Sequence, residues 1–158
     1  MSAADRSSAA PLRLQALDPA DLALISAHLQ DAAVRVGDIA FLKERRRFAL
    51  VAARFDWEAE MQGQLERCAA ALHFESVRNV RCFRLPRENP ETVLALLTIV
   101  YEAEGPGPEG RILLVFSGGT MIALDVDGVE AQLRDLGPRW RISSRPSHEL
   151  DEGQGAGP

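Results

Sequence analysis

Lysine is almost missing from this chain. Of the 18 basic side chains among 158 residues, only Lys43 is not an arginine, a coding bias that carries no mechanistic weight. Cysteine is scarce too. Cys68 and Cys82 stand fourteen positions apart with no CxxC and no histidine at zinc-site spacing, which removes a disulfide scaffold and gives a metal site no local support. No DxD or HExxH occurs, and His73 and His148 have no partners at ligand spacing. Long apolar runs are also lacking: residues 93–101, interrupted only by Thr98, fall far short of the roughly 20 residues a bilayer span needs. The first ten residues contain no signal-peptide core, so the expected address is the cytoplasm, with no membrane partner.

What is present suits one soluble globular domain: 46% hydrophobic and 26% charged residues. The net charge of -5 argues against a general nucleic-acid binder. That mean hides an asymmetry, because residues 35–87 hold eleven basic and seven acidic side chains while both flanks are acidic. The basic features are Lys43-Glu44-Arg45-Arg46-Arg47 and the spaced set Arg78, Arg81, Arg84 and Arg87. Their plain reading is a solvated hairpin tip and the surface of a strand; the functional one is an anion or RNA surface. Nucleic acid is the weaker partner, since apart from Phe83 no aromatics interleave with the arginines.

Patterning predicts a flexible leader over 1–11, one folded domain over 12–144 and a disordered acidic tail over 145–158. A short strand over 12–17 precedes Asp18-Pro19, a capping carboxylate followed by a proline tolerated at the first helical position, and Leu22, Ile25 and Leu29 then mark a helix over 19–30. Residues 33–55 read as a hairpin with a basic tip and a bulge near Gly37. Residues 56–71 are ambiguous, a connection with a partial helix, and 73–85 read as one strand. Strands follow over 93–103, 111–116 and 121–126, the last two joined by Ser117-Gly118-Gly119-Thr120. Asp127, with Val129, Leu133 and Leu136 and the stop Gly137-Pro138, predicts a C-terminal helix. The fold class is therefore α+β: mainly antiparallel β, about seven strands and a C-terminal helix, as a pleckstrin-homology-like barrel or a plainer roll.

Few residues carry candidate chemistry. His28 and Asp31 would share a face if their helix continued, letting a carboxylate orient an imidazole; a capping or surface contact is the plainer reading. In Arg54-Phe55-Asp56-Trp57-Glu58 a tryptophan sits between two carboxylates, either as a recognition surface or as a plug at one end of the core. The Gly-Gly turn at 118–119 lacks the lysine and the strand–turn–helix setting of a phosphate loop, so a tight hairpin explains it.

Taken together, residues 25–32, Val36-Gly37-Asp38, Arg46-Arg47-Phe48, Arg54–Glu58, Leu72-His73-Phe74, residues 116–119, Val129-Glu130-Ala131 and Leu136-Gly137-Pro138 resemble the alphaproteobacterial domain-of-unknown-function family 2948, over roughly residues 12–148. The resemblance implies a single-domain bacterial cytoplasmic protein and carries over no activity, cofactor or site residue. The expected function is a non-catalytic binding or adaptor module for a protein or peptide, without a cofactor, with Asp56, Trp57, Glu58, His28, Asp31, Arg45, Arg46 and Arg47 as candidate binding residues. The alternatives are a small enzyme built on His28, Asp31 and Asp56, or anion or RNA binding through the basic middle. A homodimer through an edge strand is compatible with an open sheet.

Overall fold

The computed structural model describes residues 11–61, 63 and 66–141. The leader predicted over 1–11, save Pro11, and the tail predicted over 145–158 lie outside the described residues.

Strand β1 (Arg13–Ala16) leads into helix α1 (Pro19–His28). The Asp18 carboxylate accepts the Asp21 N–H at 2.8 Å, Pro19 opens the first turn, and Leu22 and Ile25 are buried, as the spacing predicts. The next two strands are β2 (Ala32–Leu42) and β3 (Arg47–Phe55), paired antiparallel with a register shift between Val34 and Ile39. That shift is the predicted bulge around Gly37. A 3-10 turn, Lys43–Arg45, forms the tip, and Arg46 closes it in the left-handed region at φ 53°. A one-turn helix α2 (Trp57–Met61) follows, then β4 (Glu66–Phe74), β5 (Val77–Phe83), β6 (Val93–Ala103), β7 (Gly110–Phe116), β8 (Met121–Val126) and β9 (Ala131–Arg141).

All nine strands belong to one antiparallel sheet in the order β1-β9-β4-β3-β2-β6-β7-β8-β5. The chain changes partners twice. Residues 75–76 are the whole link between β4 and β5, yet β4 pairs with β9 and β5 with β8; the short 127–130 link carries β8 into β9 in the same way. These crossings coil the sheet around a single core, to which Phe48, Leu72 and Phe74 contribute from one half and Leu96, Ile112, Phe116 and Leu124 from the other. Helix α1 packs against β1 and β6 and adds Leu22 and Ile25 to that core, which its capping leucine Leu29 joins. No helix among the described residues is long and apolar enough to cross a membrane.

Three expectations need correction. The sheet has nine strands and ends at two free edges, β1 and β5, so it is not the closed barrel of the pleckstrin-homology type. The predicted C-terminal helix is strand β9. There Ala131, Leu133 and Asp135 are buried while Gln132, Arg134 and Leu136 are exposed, a period of two; Val129 and Leu133, four apart, fit both periods, but Leu136 falls on the exposed face. Gly137 and Pro138 sit in a bulge opposite Ala69, beyond the last residue paired to β1, where a proline costs no ladder bond on that side. Finally, the single strand read over 73–85 is two strands, and the first reaches back to Glu66. Ser76, at φ 58°, makes the break, its carbonyl accepting the Asp127 N–H at 3.1 Å.

Candidate functional site

Two polar constellations lie at opposite ends of β3. At its C-terminal end, Arg54 occupies an inward position after Phe48, Leu50 and Ala52, so its guanidinium enters the core. It meets Asp135 through two hydrogen bonds, Nε at 2.8 Å and Nη2 at 2.9 Å, with both side chains almost fully buried. Asp135 also accepts the Leu12 N–H at 2.8 Å. Burial raises the Asp135 pKa, but the Arg54 and Leu12 hydrogen bonds and the Arg54 charge outweigh it and leave the carboxyl below its ordinary value. Beside this pair, Arg139 bridges Asp56 and reaches Glu66 at 3.6 Å. Cys68 faces the same cluster; burial, then the Asp135 charge, push its thiol pKa up, which keeps it protonated and inert.

This end binds the chain to itself. Asp56 is bonded to Arg139, and the Trp57 ring is half-buried edge-on against Phe55 at 4.5 Å. The Trp57 Nε1 is buried with no hydrogen-bond partner among the described residues. The Glu58 side chain lies outside them. His28 is the last residue of α1, and Asp31 follows in a left-handed turn (φ 64°) whose N–H donates to the Leu96 carbonyl at 2.8 Å. The helix therefore stops before His28 and Asp31 can share a face.

The other constellation is open to solvent. Around the β2–β3 tip, Arg45, Arg46, Arg47, His73, Glu75, Ser76, Glu130 and Gln132 line a cleft of about 570 Å³, within the range of small-ligand sites. Arg46 pairs with Asp127 at 2.6 Å, and Arg47 Nε stands 2.8 Å from a Glu75 oxygen at an angle too poor for a hydrogen bond. Among the described residues no carboxylate pairs with Arg45. His73 Nε2 lies 3.2 Å from the same Glu75 oxygen, yet its pKa is lowered, by burial first and then by the Arg47 charge, against the opposing pull of Glu75. It is neutral at pH 7, able to donate one hydrogen bond and accept another.

Arg45, Arg46 and Arg47 are thus brought into one site, about 30 Å along β3 from Asp56 and Trp57 at the rise of an extended strand. Sequence reasoning missed His73, Glu75, Ser76, Glu130 and Gln132. His73 reaches the tip through the β3–β4 ladder, and the others through the strand crossings after β4 and β8, which no local pattern announces. The Arg54–Asp135 pair did leave a signal: an arginine at an inward position of an apolar strand needs a buried counter-charge. Residues 12–148 fit the family model described as protein of unknown function DUF2948.

The chain belongs to the DUF2948 family. The DUF2948 match takes in all nine strands together with both polar constellations. No curated protein and no solved structure matches the chain.

Proposed function

We propose that this DUF2948 domain is a binding module that recognises an acidic peptide segment at the arginine-lined tip cleft. The observation that carries this reading is Arg45, a guanidinium at the mouth of the cleft with no carboxylate partner among the described residues, beside two arginines whose charges are already matched. One cation is available to a ligand carboxylate through bidentate geometry. The neutral His73, Ser76 and Gln132 supply donors and acceptors suited to peptide amides.

The test is fluorescence anisotropy with fluorescein-labelled octaglutamate and, as competitor, a uridine dodecamer. Salt-sensitive binding of octaglutamate, weakened at least about tenfold by Arg45→Glu, is expected, as charge-assisted contacts are worth that much. Absence of binding at low salt overturns the reading, and efficient displacement by the RNA replaces it with a general anion surface.

A further inference from the structure

The sheet fails to close at one place, and both of its margins there are unpaired. On one side is β5, bonded to β8 alone. On the other is the outer half of β2, where Ile39–Leu42 pair only with β3, because the β2–β6 ladder covers Ala32 to Arg35 and goes no further. Two contacts show that these margins flank one opening. At the tip, the Val77 N–H at the head of β5 donates to the Arg46 carbonyl at 2.9 Å. At the base, the loop after β5 returns to β2, where the Gly37 N–H donates to the Pro90 carbonyl at 2.9 Å. Between these ties no ladder joins the two strands.

The chemistry of the opening is specific. Ile39 and Phe41 from β2, with Val80 and Cys82 from β5, form a partly buried apolar floor against the core. The rim is cationic at the tip, where neither Lys43 nor Arg45 pairs with a carboxylate among the described residues, while beyond β5 the Arg84 guanidinium lies beside Gly119 of the β7–β8 turn. The Arg84 backbone is held in place, its carbonyl accepting the Thr120 hydroxyl at 2.8 Å. The other free edge, β1, contrasts with this one. It has four residues and lies under α1, which is how exposed edges are ordinarily protected.

We infer that the opening between β5 and the outer half of β2 is a strand-docking site for an extended segment that alternates apolar and acidic residues. The segment's main chain bonds to the free edges, its apolar side chains meet the floor, and its carboxylates point outward, those at the tip end toward Lys43 and Arg45. This inference rests on the proposed tip cleft, since Arg45 belongs to both and would hold one end of the same segment.

The experiment uses the full chain and a pool of labelled octapeptides with glutamate at alternate positions and Val, Ile, Thr or Tyr randomised between. A second pool carries N-methyl groups on every second backbone nitrogen, which remove ladder donors and leave the charges intact. Retention of the first pool, affinity at least tenfold above octaglutamate, at least tenfold loss on N-methylation and a several-fold loss in Lys43→Glu are expected. If alternating peptides bind no better than octaglutamate, or N-methylation changes nothing, while Arg45→Glu still abolishes binding, the strand-docking inference falls and the cleft reading stands. If neither octaglutamate nor the pool is retained, both fall. Unchanged far-ultraviolet circular dichroism of each variant keeps a folding defect from being read as a loss of binding.

Discussion

Arg54 and Asp135 show how one inward-facing charge organises an end of the molecule. Removing one partner strands the other in the core, so Asp135→Asn should destabilise by about 3–5 kcal/mol, whereas Arg54→Met combined with Asp135→Leu should cost far less. Urea denaturation of Arg54→Met, Asp135→Leu and the double closes the cycle; equal losses in single and double variants would contradict it. Because the folded Asp135 pKa is depressed, its contribution is fully present above the unfolded value of about 3.9 and is lost as the pH falls through the lower folded value. At the tip the sign is carried by histidine. Folding lowers the His73 pKa, so its neutral form contributes fully above about 6.5, and stability declines as the pH falls from there through the folded value. An NMR titration should place His73 below the ordinary histidine value of about 6.5; a value at or above it would remove the neutral imidazole from the cleft.

At the scale of elements, legibility followed locality. The capped helix α1, the bulged β2–β3 hairpin and the strands β6, β7 and β8 were readable because caps, turns and alternation reside within the segments themselves. Strand β9 was not, since Val129 and Leu133, four apart, fit both periods and only the Ala131, Leu133, Asp135 alternation against β4 decides between them. A β4–β5 break at Ser76 was equally hidden, as no glycine or proline marks it. The β6–β7 connection offers an element-level test. Tyr101 lies across Gly110, and its hydroxyl donates toward the Pro108 and Glu109 carbonyls at 2.9 and 3.2 Å. A Cβ on Gly110 would stand 2.5 Å from the Tyr101 ring and 2.6 Å from the Glu102 carbonyl oxygen. Gly110→Ala should therefore destabilise by about 1–3 kcal/mol in urea denaturation, and a neutral result would show that the hairpin tolerates displacement of the ring.

Across the whole molecule the two polar constellations divide the work. The end carrying Arg54, Asp135, Asp56 and Arg139 is where the described chain enters at β1 and leaves at β9, and its charges are matched internally. The opposite end holds the β2–β3 tip, the strand crossings and the cleft, where a cation is left over. The basic middle of an acidic chain was legible as composition, but its division into internally paired and available arginines depends on the fold. The central claim is that acidic peptide is recognised at the tip end. It is tested most directly by following backbone amide NMR shifts while octaglutamate is titrated into the full chain. Shifts concentrated at Arg45, Arg46, Arg47, His73 and Ser76 are predicted; shifts centred on Asp56, Trp57 and Arg139, or none at saturating ligand, would contradict it.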